Sequence, residues 1–298
     1  MFNGSGNAFL KGLSALIAVT GIIACAPSAK FQNGDALDSS SNVETANIIG
    51  GQDVKPTESA AQTSVMVYDT GAKALCTGSL VGNNIVLTAA HCLGQDPRRL
   101  LVVFSLNLST AKKEMTRPVV GAVANPLWRT NSNKPKDNGD IALIKYEGPT
   151  PAGYKAVTFL PNVTSLKTGS TIVLAGYGLS DGVKKTGAGV LREVMTTIAN
   201  SQFSPTELEI EQRQGRGACH GDSGGPAFVL ANGTYYLWGV TSRGDQDKKD
   251  QCSGFSIYTD VLAYTKWIQD TARALIVANQ FSFPQTTQER IFGSGTYY

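Results

Sequence analysis

Histidine is scarce in this chain. Among 298 residues only two are histidines, His91 and His220, and a long stretch of sequence separates them. No spacing of cysteine and histidine matches a zinc-binding pattern. This scarcity excludes a histidine-rich metal centre, and we predict neither a metal site nor a cofactor.

A strong charge of either sign is also missing. Charged residues make up 16% of the chain, and the formal net charge is only +3. Proteins that bind nucleic acid usually carry a long basic patch, so nucleic acid is not an expected partner. Long helical runs are equally rare, whereas glycine and β-branched residues are common, which favours an all-β fold.

The amino terminus indicates export. Lys11 precedes an apolar run at 13–24 that is too short to span a bilayer comfortably. We predict a signal peptide over residues 1–24, with an ordinary buried helix as the alternative. The tetrapeptide Ile-Ile-Ala-Cys that ends at Cys25 resembles a bacterial lipobox, in which the cysteine receives acyl chains after cleavage.

The number of cysteines favours lipidation. Five cysteines leave one odd thiol, and lipidation of Cys25 leaves four that can form two disulfides in an oxidising compartment. The alternative is cleavage by the ordinary signal peptidase, with Cys25 lost or free. Residues 26–47 are small and polar, so we predict that 25–47 form a flexible tether and propeptide. We expect a secreted or cell-envelope protein that is anchored through Cys25 before activation.

From Ile48 onward, short apolar segments alternate with turn residues, which is typical of a β-barrel or a β-sandwich. One helical pattern follows near the end, with Asp260 as its cap. Its apolar face comprises Val261, Tyr264, Trp267 and Ile268. We predict a domain over 48–275 and a tail over 276–298, which is either mobile or an added contact segment.

Three short segments carry residues that can perform nucleophilic chemistry. They are Thr-Ala-Ala-His-Cys ending at Cys92, Asp-Ile-Ala-Leu-Ile starting at Asp140, and Cys-His-Gly-Asp-Ser-Gly-Gly-Pro over 219–226. A serine hydroxyl becomes a good nucleophile when a base removes its proton, and histidine has the pKa for this task. A carboxylate can orient the imidazole, and a glycine-rich loop can aim backbone N–H groups at an oxyanion.

These segments, in this order, resemble those of the chymotrypsin/trypsin family of serine proteases over roughly residues 48–272. The resemblance implies two six-stranded antiparallel β-barrels with a C-terminal α-helix, and an endopeptidase that acts on proteins or peptides as a monomer. It implies His91 as the base, Asp140 as the orienting acid and Ser223 as the nucleophile. Gly221 and Ser223 supply the N–H groups of the oxyanion hole.

The same resemblance implies how the four remaining cysteines pair. Four cysteines allow three pairings, and the family's pattern selects Cys76 with Cys92 and Cys219 with Cys252. Metal binding by these cysteines is the alternative, and their spacings do not support it.

Residues 48–51, Ile-Ile-Gly-Gly, resemble the mature amino terminus of the family. The resemblance implies a zymogen in which cleavage between Asn47 and Ile48 creates an ammonium that pairs with Asp222. The alternative is a first strand followed by a turn. Asn47 departs from the Lys or Arg of trypsin-like zymogens, so trypsin-type activation is not expected, and the sequence does not identify the activating protease.

The primary substrate pocket is expected to lack charge. By motif its floor is Gly217, where trypsin relatives carry aspartate, and its walls include four further residues: Ala218, Ser242, Gly244 and Ser256. An uncharged pocket favours apolar or medium-sized side chains over Lys and Arg. Arg243 stands where the family usually has Trp, and the charged segment 245–251 follows near the pocket mouth.

Two other functions are compatible with parts of this sequence. A catalytically silent surface lipoprotein could use the fold to bind a partner, although such proteins usually lose His or Ser. An esterase of the α/β-hydrolase type has its triad in the order Ser, Asp, His, whereas this chain has His, Asp, Ser.

Overall fold

The computed structural model describes residues 48–162, 166–244 and 252–278. The predicted signal peptide, Cys25, the tether over 26–47 and the charged segment 245–251 lie outside the described residues, as does the tail from 279. Among the described helices, none combines the length and the apolar character that a membrane span requires.

The first half of the described chain forms a closed antiparallel barrel in the order β2-β3-β4-β7-β6-β5. Its strands are β2 (Ser64–Asp69), β3 (Ala74–Gly82), β4 (Ile85–Thr88), β5 (Leu100–Val103), β6 (Thr116–Ala124) and β7 (Ala142–Tyr146). Strand β5 pairs with β2, which closes the ring.

The second half forms another closed ring, in the order β10-β11-β14-β13-β12-β9, where β9 pairs with β10. Its strands are β9 (Thr171–Gly176), β10 (Arg192–Ser204), β11 (Glu207–Glu211), β12 (Pro226–Ala231), β13 (Thr234–Gly244) and β14 (Phe255–Asp260). Two short strands add to this sheet, β1 (Gln52–Asp53) beside β10 and β8 (Thr158–Phe159) parallel to β13. The two six-stranded barrels confirm the predicted fold class.

The described residues also form three α-helices, α1 (Ser59–Thr63), α2 (Pro126–Asn131) and α3 (Thr265–Val277). Short 3-10 turns occur at Ala90–Leu93, Pro97–Arg99, Leu108–Thr110, Lys113–Met115 and Leu262–Tyr264. The long C-terminal helix α3 confirms the predicted helix, but its end at Val277 lies beyond the predicted domain boundary of 275. Asp260 caps the preceding turn rather than α3, since its Oδ1 accepts a hydrogen bond of 2.9 Å from Leu262 N.

The barrels share a hydrophobic core, because their strands are buried on both faces. In β4, Val86 points into the first barrel, whereas Ile85 and Leu87 belong to a cluster shared with the second barrel. In β9, the neighbouring residues Val173 and Leu174 likewise belong to the shared cluster and to the interior of the second barrel. This alternation follows from the two-residue period of a strand, and it fixes one barrel against the other.

Candidate active site

His91 lies in the 3-10 turn that follows β4, at the edge of the first barrel. Cys92, the next residue, forms a disulfide with Cys76 of β3. Asp140 lies just before β7, the strand that pairs with β4. Because β4 and β7 are neighbours, the turn after one strand and the residue before the other meet at the same barrel edge.

Asp140 holds His91 through one contact with the ring and one with the backbone. His91 Nδ1 lies 2.8 Å from Asp140 Oδ2, and His91 N donates to Asp140 Oδ1 at 3.0 Å. Ser242 Oγ donates a further hydrogen bond to Asp140 Oδ2 at 2.6 Å. The carboxylate is 2% exposed and the imidazole 33% exposed. The acid therefore lies inside the protein, while its partner is open to a substrate.

The electrostatics favour a charged Asp140 beside a basic imidazole. Burial opposes the charged carboxylate, but the pKa of Asp140 is lowered because His91 and the hydrogen bonds from His91 and Ser242 outweigh burial. Burial also disfavours a charged imidazole, yet the Asp140 carboxylate raises the pKa of His91 above its usual value. A histidine with a raised pKa is a stronger base.

Ser223 lies on the loop that leads into β12, in the second barrel. Its carbonyl accepts a hydrogen bond of 2.8 Å from Thr77 N, which follows Cys76 in the first barrel. Gly224 has φ +80°, and a Cβ there would collide with Thr88 and Thr77, so only glycine permits this approach. The loop thus reaches the barrel edge that carries His91. In the described chain no hydrogen bond joins Ser223 Oγ to His91, and such contacts often tighten only when substrate is bound.

The N–H groups of this loop divide into two sets. Those of Asp222, Gly224 and Gly225 donate to Cys219 O, Thr241 O and Asp222 O. Within the described residues, the N–H groups of Gly221 and Ser223 have no protein acceptor. Gly221 has φ +98° and lies against Gly178, so its conformation requires glycine. Two unused donors on either side of one residue can stabilise a developing oxyanion.

Asp222 is buried beneath this loop. Its carboxylate accepts hydrogen bonds from Gly178 N at 2.7 Å and Cys219 N at 2.8 Å. A Cβ on either Gly176 or Gly178 would collide with it. Burial raises the pKa of Asp222 to about 7, because the two N–H donors and the Arg192 cation offset it only in part. The described residues supply no salt-bridge partner for this acid.

Ile48 lies in the same barrel as Asp222. Its side chain is buried in the core cluster that also contains Ala218. Ile49 forms an antiparallel bridge with Gly217, and Gly217 N donates to Ile49 O at 3.0 Å. Ile48 has φ +55°, which is a strained conformation for a β-branched residue. The start of the described chain therefore packs beside the nucleophile loop.

A cavity of about 250 Å³ opens beside Ser223. Four of the five predicted pocket residues line it: Ala218, Ser242, Gly244 and Ser256. The predicted floor residue, Gly217, is not among its lining residues, because the side chain of Gln212 takes its place. Cys219 and Cys252, which form a disulfide, also line the cavity. The disulfide therefore links the nucleophile loop covalently to the segment around Cys252, which also lines the cavity.

Comparison with known proteins assigns the family. The family described as "Trypsin" matches residues 48–268. The chain is 30% identical over 233 residues to "Chymotrypsin" from Phaedon cochleariae, which covers 74% of this chain and 81% of that protein. It is 28% identical over 240 residues to "Chymotrypsin-like elastase family member 1" from Felis catus, covering 76% of this chain and 89% of the relative.

This chain belongs to the trypsin family. It is therefore a serine endopeptidase, a hydrolase whose substrates are proteins or peptides. The two disulfides fit an extracellular compartment. Trypsin-family membership confirms the predicted fold and reaction class. The alternatives of an α/β-hydrolase esterase and of a catalytically silent binding protein lose their support.

Two features of the trypsin-family site were not predicted from the sequence. The Trp128 ring in α2 lies 6.3 Å from the His91 ring, centroid to centroid, and so forms a wall beside the histidine. The Gln212 amide is buried at the base of the cavity. Neither residue belongs to a motif, and a single aromatic or amide side chain is usually a packing residue.

Arg243, which replaces the family's usual Trp, has an unexpected partner. Its guanidinium makes two contacts of 2.9 Å with the buried Glu207 carboxylate and donates to Pro135 O at 2.6 Å. It also donates to Ser242 Oγ at 3.3 Å. A paired guanidinium of this kind fixes the Ser242 strand close to Asp140 instead of offering a free cation to the substrate.

Proposed function

We propose that His91, Asp140 and Ser223 are the catalytic triad of this serine endopeptidase. The observation that carries the proposal is the His91–Asp140 pair, 2.8 Å apart, at the barrel edge that the Ser223 loop reaches. His91 Nε2 removes the proton from Ser223 Oγ, which attacks the carbonyl carbon of the scissile peptide. Asp140 keeps Nδ1 protonated and stabilises the imidazolium that results.

The remaining steps use the same residues. The negative oxygen of the tetrahedral intermediate accepts hydrogen bonds from Gly221 N–H and Ser223 N–H, the two donors without a described protein acceptor. The imidazolium returns its proton to the leaving amine as the C–N bond breaks, which leaves an acyl-enzyme. Water, deprotonated by His91, then hydrolyses the ester and releases Ser223.

The enzyme is made as a zymogen that cleavage between Asn47 and Ile48 activates. In the uncleaved chain the Ile48 nitrogen is part of a peptide bond, and Asp222 is buried with a pKa of about 7. Cleavage creates an ammonium whose pairing with Asp222 offsets the cost of a buried carboxylate. It also removes the φ +55° constraint on Ile48. The new ion pair orders the loop that carries Gly221.

The protein is exported and anchored through Cys25 until it is activated. The signal peptide over 1–24, the tether over 26–47 and lipidation of Cys25 are inferred from the sequence alone. Because the tether is the only link to the anchor, cleavage at Ile48 releases the protease from the membrane. Active enzyme with an Ile48 amino terminus that remains in washed membranes contradicts this part of the proposal.

The primary pocket accepts an uncharged side chain. The Arg243 guanidinium, which borders the cavity, is paired with Glu207. No negative charge lines the described part of the cavity, so a Lys or Arg side chain would lose its hydration without gaining a partner. A peptide library in which Lys or Arg is strongly preferred before the cleaved bond contradicts this part.

Covalent labelling with a serine-directed fluorophosphonate tests the proposal. The samples are the enzyme cleaved before Ile48, the uncleaved 26–298 precursor, and the cleaved Ser223→Ala variant. Ser109→Ala, at an exposed serine whose described hydrogen bonds are to Asn107, is the matched control. We expect labelling of the cleaved enzyme and of the control alone. A folded, cleaved enzyme that resists labelling refutes the assigned triad, and a precursor that labels equally fast refutes the zymogen.

A further inference from the structure

The floor of the primary pocket is formed by a residue outside the nucleophile loop. Gln212 follows β11, is 1% exposed, and borders the cavity beside Ser223. A Cβ on Gly217 would collide with Gln212 Cγ, Cδ and Oε1. Glycine at 217 is therefore what lets the Gln212 side chain lie at the base of the cavity, where it replaces a side chain from position 217.

The Gln212 amide makes two hydrogen bonds with the protein and keeps one N–H donor available. Its Oε1 accepts a hydrogen bond of 2.6 Å from Ala218 N, and its Nε2 donates to Cys252 O at 3.4 Å. A side-chain amide has two N–H donors. Within the described residues the second donor has no acceptor. The group is therefore oriented by the protein and can still donate one hydrogen bond to an occupant.

A second polar group lies beside this amide. Ser256 is 2% exposed and lines the same cavity; its Oγ has no partner of good hydrogen-bond geometry among the described residues, and the nearest polar group is the buried Tyr258 hydroxyl. Buried polar atoms without a partner are uncommon, because leaving them unpaired is unfavourable. A hydroxyl can donate or accept. The cavity thus offers a fixed N–H donor and an adaptable O–H group, both uncharged.

We propose that Gln212 is a specificity-determining residue of this enzyme, and that it selects substrate side chains that are uncharged and end in a hydrogen-bonding group. This inference rests on the proposed function, since it assigns the pocket beside Ser223 to the residue before the cleaved bond. A terminal hydroxyl or amide, as in Tyr or Gln, satisfies Gln212 Nε2 and Ser256 Oγ. An apolar side chain of the same shape leaves the second Gln212 N–H and the Ser256 hydroxyl without the hydrogen bonds that a polar side chain would give them.

Matched peptide substrates test this selection. Peptides identical except for Tyr or Phe, or for Gln or Met, before the cleaved bond are assayed with the cleaved enzyme, whose active sites are first counted with fluorophosphonate. We expect kcat/KM to favour the polar member by about tenfold or more in at least one pair. Gln212→Met should bring that ratio close to one. Gln202→Met, at an exposed glutamine, should leave it unchanged.

A second variant covers the case in which Gln212→Met does not fold. Gln212→Glu has nearly the same shape and keeps an oxygen for Ala218 N, while it adds a negative charge to the pocket floor. We expect kcat/KM for Lys and Arg substrates to rise by about tenfold or more. A cleaved enzyme that labels with fluorophosphonate yet shows ratios near one in both pairs overturns this inference and leaves the proposed function standing. So does a polar preference that Gln212→Met does not change, or a Gln212→Glu enzyme that gains nothing on basic substrates. Failure of the wild-type enzyme to label overturns both.

Discussion

Asp140 and Asp222 are buried to almost the same degree, at 2% and 1% exposure, but their charges are stabilised differently. Asp140 accepts hydrogen bonds from His91 N, His91 Nδ1 and Ser242 Oγ, and its pKa is lowered. Asp222 accepts two backbone hydrogen bonds, and burial raises its pKa to about 7. The partners of a buried carboxylate, rather than its depth, decide whether it is charged at neutral pH.

The two carboxylates also differ in whether their partner is present before cleavage. Asp140 has its imidazole partner in the uncleaved chain. Asp222 lacks a salt-bridge partner among the described residues of that chain. In the proposed activation it gains the Ile48 ammonium. We therefore expect substitutions at Asp140 to act on chemistry, and substitutions at Asp222 to act on activation and on the pH dependence of stability.

The largest expected effect comes from Asp140→Asn. An amide cannot stabilise the His91 imidazolium and favours the wrong tautomer, so kcat of the cleaved enzyme should fall by about 10⁴-fold. Steady-state kinetics on a peptide substrate measures this. Asp270→Asn, at an exposed aspartate of α3, is the matched control and should stay within about twofold. A loss below about tenfold for Asp140→Asn contradicts the role of this carboxylate.

The two acids should have opposite effects on stability as pH changes. The folded pKa of Asp222 is raised to about 7, so its contribution in the precursor is present below about pH 4 and is lost as pH rises through 7. The loss is up to about 4 kcal/mol, at about 1.4 kcal/mol per pKa unit. The folded pKa of Asp140 is lowered, so its contribution is present above about pH 4 and is lost in acid.

Denaturant unfolding of the precursor between pH 4 and 8 measures this dependence. The precursor should carry Ser223→Ala, so that no proteolysis occurs during the measurement. Adding Asp222→Asn should flatten the decline between about pH 4 and 7, because an amide does not titrate. The difference between the two proteins isolates Asp222 from Asp260, another acid whose pKa burial raises, to about 6. Two parallel curves would show that Asp222 is not the group responsible.

A smaller effect is expected for Asp222→Asn on activity. Without the carboxylate, the Ile48 ammonium has no buried partner and the Gly221 loop loses its anchor. We expect kcat/KM of the cleaved enzyme to fall by about 10²–10³-fold, as when one oxyanion donor is lost. The precursor lacks the ammonium and should stay unlabelled with or without this substitution. A precursor that labels only when it carries Asp222→Asn would show that Asp222 acts on the loop without the ammonium.

The smallest expected effect is on the pH profile of kcat/KM. Activity should rise as His91 loses its proton, with a midpoint above the usual histidine value because Asp140 raises the pKa of His91. It should fall at alkaline pH as the Ile48 ammonium deprotonates. Acetylation of the Ile48 amine before assay removes the ammonium and should lower kcat/KM at every pH. An acetylated enzyme that keeps full activity assigns the alkaline limb to another group.

The sequence predicted the parts of the site that lie in contiguous motifs. The residues around His91, Asp140 and Ser223 form short segments whose chemistry depends on neighbours in the chain. Short apolar runs alone do not distinguish a barrel from a sandwich. The two barrels were therefore predicted from the resemblance of these segments to those of the chymotrypsin/trypsin family. The apolar face at Val261, Tyr264, Trp267 and Ile268 predicted the helix but not where it ends, because helix ends also depend on tertiary contacts, here the bond of 2.6 Å from Lys145 Nζ to Leu275 O.

The pocket could not be predicted in the same way. The Gln212 side chain forms the pocket floor because Gly217 has no side chain to occupy that space. The two residues are five positions apart, and only the folded structure shows that they compete for the same place. The pairing of Arg243 with Glu207 joins residues 36 positions apart and has no sequence pattern. Side chains that pack across strands leave no periodic signal, so specificity was the weakest part of the sequence-based prediction.

The hydrophobic cluster shared by the barrels has a consequence for how the enzyme unfolds and loses activity. The first barrel contributes His91 and Asp140, and the second contributes Ser223, so neither half holds the complete proposed triad. If one barrel melts, the apolar face of the other is exposed to water, and the two should unfold as one cooperative unit. Loss of activity and loss of structure should then coincide in a single transition, and a stable half-molecule should never accumulate.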